Sequence, residues 1–465
     1  MAATEVSQES PYIQAVEGHE RRRSKLARFT GSSTKAAAIM LLAAIAALII
    51  ANSDFYDPFY HFFHTEVGLY FGDVVFEMSL AHVINDVLMA VFFLLIGLEI
   101  KYEMTVGQLT NIRQALLPII AAFGGVLAPI VIYLIFNAGN PPTAHGWGVP
   151  TATDIAFALG IMSLLGSRVP SGIKVFLTTL AVADDIIAIL IIAIFYGQSP
   201  DMLWLAAVAL VVVVLVLMNR SHIFSVTPYI LVGIVLWYCV YMSGIHATIA
   251  GVLLALTIPT GSKVNFKSFA SWSSEKVKLA KQQFIHEAHI MGQEAYLHTV
   301  GDLSKVANEV VPPSTRLEHK LSPWVNFLIL PLFALTNADV RFVGGGLGDI
   351  WADPVLPGIF FGLLLGKPIG IILFSFITTK LKIASLPENV GWLHMVGAGI
   401  LGGVGFTMAI FVANLAFEDA AITTTAKLAI LSASALAGVI GFAFLWLQAQ
   451  KDKKREAALR LGQSD

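Results

Sequence analysis

Two adjacent aspartates, Asp184 and Asp185, interrupt an apolar run from Ile173 to Tyr196, IKVFLTTLAVADDIIAILIIAIFY. The run is about as long as a bilayer-crossing helix, roughly 20 residues. A carboxylate at the bilayer centre costs roughly 2.5–3.5 kcal/mol, and the pair about twice that. A single acid is readily explained as a cap or as the partner of a neighbouring helix. Two in a row exceed what a helix contact needs, so the pattern points to acids that bind a cation, carry a proton, or both.

The rest of the chain agrees with a bilayer setting. Of its 465 residues, 56% are hydrophobic and 13% charged, against about 25% charged in ordinary soluble domains. A soluble fold is excluded, and the chain reads as an all-α polytopic membrane protein. Nothing suggests nucleic-acid binding or a cofactor. Cys239 is the only cysteine and lies in an apolar segment, so there is no disulfide framework and no thiolate metal site. The charged and polar first 30 residues show no cleavable signal pattern.

Hydropathy predicts about twelve spans, centred near Ala43, Ala90, Phe123, Phe157, Asp184, Leu210, Val235, Leu253, Leu330, Leu365, Gly403 and Ala437. The 29 Lys and Arg test that map. Apart from Arg341, Lys427 and Lys367, all fall on one side of it. Short cytoplasmic loops carry the basic excess, so both termini are expected in the cytoplasm. The expected organisation is a cytoplasmic tail 1–32, spans one to eight over 33–260, a cytoplasmic insert 261–320, spans nine to twelve over 321–449, and a cytoplasmic tail 450–465. Within the insert, Val277, Ala280, Phe284, Ala288, Met291 and Ala295 recur at helical spacing and predict one amphipathic helix. His286-Glu287-Ala288-His289 lacks the spacing of a zinc-protease helix and reads as a solvated face.

Lys367 is the only basic residue that the map buries, with about eight apolar residues on each side. That is too many for easy snorkelling, so an ion-paired or functional role is expected. Gly358, Gly362, Gly366 and Gly370 repeat every four residues in the same span and form a bare face for a neighbouring helix.

Two spans look interrupted. The fourth, WGVPTATDIAFALGIMSLLG, places Pro150, Thr151, Thr153 and Asp154 at mid-membrane. The eleventh carries Gly397, Gly399, Gly402, Gly403 and Gly405, then Thr407; each glycine costs a helix roughly 1 kcal/mol against alanine. They hold comparable places, one in the middle of spans 3–5 and the other in the middle of spans 10–12. Such a matched pair points to inverted repeats and a secondary transporter with a midplane site. Half-helices carry about half a charge at each end. Crossed broken helices would therefore oppose like ends, which an acid and a base would relieve. Asp154 and Lys367 are the available pair.

The segments GLEIK, VPTATDIAFALG, LAVADDIIAI, SGIHATIAG, ILPLFALTNA, LLGKPIG and GGVGFTMAIF, in order on their spans, resemble the NhaA-type bacterial sodium/proton antiporters, from about Ala37 to the end of span 12. The resemblance implies two crossed broken helices, spans 4 and 11. It implies that Asp184 and Asp185 bind Na+ or Li+ and take up protons, and that Asp154 and Lys367 compensate the helix ends, with Lys367 able to pair with Asp184. It places Thr153 at one break; Gly402, Gly403 and Gly405 mark the other. It links His246, Glu99, Glu318 and His319 to pH response. It also implies a homodimer in the bacterial inner membrane, with a β-hairpin in the first external loop, for which 59–76 is the candidate. Two protons per Na+ are the family expectation. The chain departs from the pattern at Lys101-Tyr102-Glu103, where Lys-Arg-Glu is common, at Ser322, where His is common, and in an insert about 50 residues longer than compact members need. A sodium-coupled solute symporter is the alternative, but no aromatic or arginine cluster forms an organic-substrate pocket. A membrane sensor is the third reading, but the insert carries no recognisable signalling module.

Overall fold

A computed structural model describes residue 29 and residues 31–461 except 72–73, 111, 198–199, 263, 342–352 and 388. Most of the expected N-terminal tail, with its basic cluster, lies outside these residues, as does the extreme C-terminus.

Among the described residues the chain is nearly all helix. The elements are α1 (Ser33–Ala51), α2 (Tyr56–His64), β1 (Glu66–Phe71), β2 (Val74–Ser79), α3 (Leu80–Thr105), α4 (Ile112–Asn137), α5 (Pro141–Thr151), α6 (Ile155–Leu164), α7 (Ser171–Phe195), α8 (Met202–Arg220), α9 (Val226–Met242) and α10 (Ile249–Thr257). They continue with α11 (Phe266–Gln283), α12 (Glu294–Val310), α13 (313–337), α14 (Val355–Lys380), α15 (Trp392–Gly402), α16 (Phe406–Ala416) and α17 (Ala420–Leu461). Among the described residues seven helices are long and apolar enough to cross a membrane by themselves, and the bent pairs α5–α6 and α15–α16, each taken as one span, bring the number to nine. α9 is a shorter apolar helix of 17 residues. The expected spans centred on Leu253 and Leu330 fall on the nine-residue α10 and on α13.

The two interrupted spans are bent by 42° and 44°. Pro150 ends α5 in a 3-10 turn, and Ala152 and Asp154 are extended. Gly403 and Gly405 flank the other break. The freed backbone is satisfied across the gap: Asp154 N–H donates to Val404 C=O at 2.8 Å. Non-helical backbone at membrane depth needs such a partner. Ser434 Oγ of α17 accepts from Phe406 N–H at 3.0 Å.

The glycine face of α14 receives other helices, as its spacing predicts. A Cβ on Gly358 would meet Tyr133 and Asn137, one on Gly362 would meet Pro150, one on Gly366 would meet Pro129, and one on Gly370 would run into Gly124 C=O. Gly124 faces Gly370 in return, so α4 and α14 touch backbone to backbone. This contact fixes the position of Lys367, three residues from Gly370.

Two features differ from the sequence-based expectation. The hairpin is present, but it begins at Glu66, because 56–64 is the separate helix α2. The insert's periodic run does not form one helix. It is split between α11 and α12, since the Gln293 side chain takes over the backbone of the linker. Its Nδ-equivalent amide group, Nε2, donates to Ile285 C=O and Ala288 C=O, and its Oε1 accepts from Ile285 N–H. The stripe breaks accordingly: Ala280 is buried, whereas Met291 is 80% exposed. Lys276 clasps Asp302 between the two helices at 3.0 Å and holds that carboxyl below its ordinary pKa. α17 is continuous across 449/450 and is described as far as Leu461.

Gly370→Val would force side-chain bulk between two touching backbones. Overpacking of this kind costs about 1–3 kcal/mol or more. A lowered thermal midpoint in detergent is the expected result; an unchanged midpoint would contradict the close approach.

Candidate functional site

The two helix breaks and the middle of α7 meet in one place. Asp184, Asp185, Asp154, Thr153 and Lys367 are all buried there. Asp184 and Asp185 lie midway along α7, whose single apolar helix carries both without a break. Lys367 follows a π turn, Gly362–Gly366, in α14.

Three of the four helix ends at the breaks find a charged partner of opposite sign. Asp154 caps α6, with Oδ1 accepting from Phe157 N–H at 2.9 Å. Its Oδ2 accepts from Thr407 N–H at 3.2 Å and from the Thr407 hydroxyl. One carboxylate therefore faces the N-termini of both α6 and α16, where helix dipoles are positive. On the other side, Lys367 Nζ donates to Thr151 C=O at the C-terminal end of α5 and to Asp184 Oδ2 at 2.7 Å. That ion pair is almost fully buried, at 0% and 1% exposure. The Thr153 hydroxyl donates to Asp184 Oδ2 at 2.6 Å and lies 3.2 Å from Gly402 C=O. Gly402, Gly403 and Gly405 also provide clearance: a Cβ on them would meet Ile371, Leu363 C=O and Ala152 C=O respectively.

The carboxylates are not equally satisfied. Asp184 Oδ2 accepts two bonds, whereas its buried Oδ1 has no partner. Asp185 lines a cavity of about 370 Å³ together with Glu99, Glu103, Thr153, Asp154 and Glu318. Among the described residues none that lines it is Lys, Arg or His, so its five acids favour a cation there. Among the described residues no group of three or more His, Cys, Asp or Glu is placed to hold a metal ion tightly.

The four residues linked to pH response are dispersed. Glu99 and Glu318 border the same cavity as Asp185. His246 lies elsewhere, its Nε2 within 2.6 Å of Tyr196 C=O beyond the end of α7. His319 is exposed and does not line the cavity.

Several supporting groups carry no sequence signal of their own. Tyr196 Oη accepts from Gly148 N–H and donates to His145 C=O, both at 2.9 Å, which anchors α5. Lys101 Nζ donates to the carbonyls of Leu256 (2.8 Å) and Ile258, capping the short α10. Asn85, Asn337 and Asn414 form a hydrogen-bonded cluster across α3, α13 and α16. Only the close juxtaposition of distant segments reveals these contacts.

Comparison with known proteins identifies the family. The family model described as Na+/H+ antiporter 1 matches residues 27–445. A protein named Na(+)/H(+) antiporter NhaA from Wolinella succinogenes is 43% identical over 435 residues, covering 94% of this chain and 96% of its own. A protein of that name from Helicobacter pylori J99 is 44% identical over 423 residues, covering 90% and 95%. Another from Shewanella loihica is 43% identical over 428 residues, covering 91% and 97%. With a family match across nearly its whole length and relatives this similar, the chain, a membrane protein with several apolar spanning helices, belongs to the Na+/H+ antiporter 1 family.

Proposed function

We propose that the protein exports Na+, and also Li+, in exchange for protons across the bacterial inner membrane, with Asp184 and Asp185 as the shared binding site. The observation that carries this reading is the buried acid pair beside a cavity that five acids and, among the described residues, no basic residue line. The antiporter names of the relatives support the reaction class.

The mechanism needs only a few groups. Na+ is a hard cation and prefers oxygen ligands. Asp185 lines the cavity, Asp184 Oδ1 has no other partner, and Thr153 contributes a hydroxyl nearby. Lys367 competes with Na+ for Asp184, so cation binding replaces one positive charge by another. Protons compete for the same carboxylate oxygens. A carrier that turns over loaded with Na+ or with protons, but not empty, exchanges the two. Two protons per Na+ would move net charge inward and let membrane voltage drive export. Twelve spans, inverted repeats and crossing of the broken helices complete the architecture we propose, with both termini in the cytoplasm and a homodimeric assembly. Glu99 and Glu318 are the better placed pH-response candidates, since they border the cavity. His246 and His319 would act indirectly.

Proteoliposomes loaded with a pH dye test the reaction: adding Na+ should move protons, and an organic solute should not be required. Asp185→Asn should abolish Na+-driven proton movement in protein that still folds. Wild-type exchange by the purified variant would refute the site assignment. Lys367→Ala should lower thermal stability as well as activity, because breaking a buried ion pair costs about 3–5 kcal/mol. An unfolding temperature equal to wild type would argue against the pairing.

Lowering pH should raise the apparent KM for Na+. A proton on either aspartate removes a ligand oxygen and a negative charge, so Na+ must displace it. The direction is thus fixed: affinity for Na+ falls as pH falls. The steps belong to the coupled pair rather than to one residue. The measurement runs with no imposed voltage between about pH 6 and 9, from mildly acidic to alkaline conditions. A flat KM would sink the shared-site mechanism.

A further inference from the structure

On the side of the site away from Glu103 and Glu318, three asparagines from three separate helices converge. Asn414 Nδ2 donates to Asn337 Oδ1 at 2.7 Å. Asn337 Nδ2 donates to Asn85 Oδ1 at 2.8 Å, and Asn85 Nδ2 returns a longer bond to Asn337 Oδ1 at 3.3 Å. Asn337 is buried, and its Nδ2 also reaches Phe333 C=O at 3.0 Å.

The register of this cluster relates it to the cavity. Phe92, Leu330 and Thr407 all line the cavity. Asn85 precedes Phe92 by seven residues, Asn337 follows Leu330 by seven, and Asn414 follows Thr407 by seven. Seven residues are two helical turns, about 10 Å. The three asparagines therefore form one layer, about 10 Å beyond the cavity along all three helices. Phe333 and Phe411 stand between the layers, and Phe93, next to Phe92, stands at the cavity level; all three are buried. The ring of Phe411 lies 5.4 Å from that of Phe93 and 6.2 Å from that of Phe333.

We propose that the aromatic trio and the asparagine clasp form the gate that closes the far side of the transport site. The clasp parts in the state that exposes Asp185 to that side. This rests on the exchange reading above, because a carrier must close one face of its site while the other is accessible. Asn414 belongs to α16, whose N-terminus faces Asp154, so the clasp ties the half-helix at the site to α3 and α13. Those two helices also contain π turns, at Val83–Leu88 and Val325–Ile329. The i→i−4 ladder is already relaxed at such turns, and they often mark functional positions. The aromatic layer excludes water, and the amide layer holds the helices in register.

The test is a reversible cross-link. In a background with Cys239→Ala, Asn337→Cys and Asn414→Cys are combined, and a short, reductant-cleavable bifunctional thiol reagent is applied in proteoliposomes. The expected result is Na+-driven proton movement before cross-linking, a loss of about tenfold or more on cross-linking, as gating of turnover requires, and recovery on reduction. If that pair does not fold, Asn85→Cys with Asn414→Cys bridges the same boundary and replaces it. Cross-linked protein that exchanges at the unlinked rate would overturn the gate. Failure of wild-type protein to move protons on Na+ addition would instead overturn the antiporter reading, so the two failures are separable.

Discussion

Everything at the centre of this molecule depends on a lysine that cannot reach water. Lys367 is fully buried and satisfied by Asp184 and by the last carbonyl of α5. Taking an ammonium and a carboxylate out of water costs several kcal/mol per ion, which close geometry and further hydrogen bonds offset only in part. Such a pair is poor as a stabilising device, and an apolar pair of similar volume would hold the helices as well or better. Its position gives it a reason to exist. The break in the chain leaves helix C-terminal carbonyls in the membrane interior, and a cation there is worth more than at a surface. Asp154 meets the corresponding demand of the two N-termini, α6 and α16.

The charges can take these positions only because the backbones come close. Gly370 against Gly124 brings α14 onto α4, and Gly362 brings it onto Pro150 just before the first break. Gly403 then packs against Leu363 C=O in the same helix. One helix thus touches both breaks while presenting Lys367 between them. Packing and electrostatics are not separate here: bulk at any of these glycines would move the ammonium away from Asp184 Oδ2. Helices in lipid lack a hydrophobic drive to associate, so close van der Waals contact of this kind supplies much of what holds them.

Charge in an apolar run is legible in a sequence, and so are glycine spacing and chain breakers. That is why Asp184, Asp185, Asp154, Lys367 and both breaks could be named from the residues. The family resemblance added roles that the pattern alone leaves open. Less legible were features set by side chains that substitute for backbone. Gln293 splits the insert into two helices by bonding across the linker, and no periodicity argument anticipates that. Lys101 ends α10 from a different helix, so the span centred on Leu253 has a boundary that its own sequence does not carry. The asparagine clasp joins positions 85, 337 and 414, which are ordinary polar residues until the fold brings them together.

The two sides of the site are held by interactions of different strength. At the centre, buried ions and helix ends leave little freedom, since separating one partner strands an uncompensated charge. At the far layer, three neutral amide hydrogen bonds each contribute only about 0.5–1.5 kcal/mol net, because water can replace them when the layer opens. A carrier must visit two conformations whose free energies differ by only a few kcal/mol. A clasp of neutral amides with aromatic rings beneath it meets that requirement. An ionic lock in the same place would make the closed state too deep, and an apolar seal alone would leave the register of α3, α13 and α16 unspecified. In the cycle we propose, the motion falls to groups that water can satisfy, while the buried charges stay at the site.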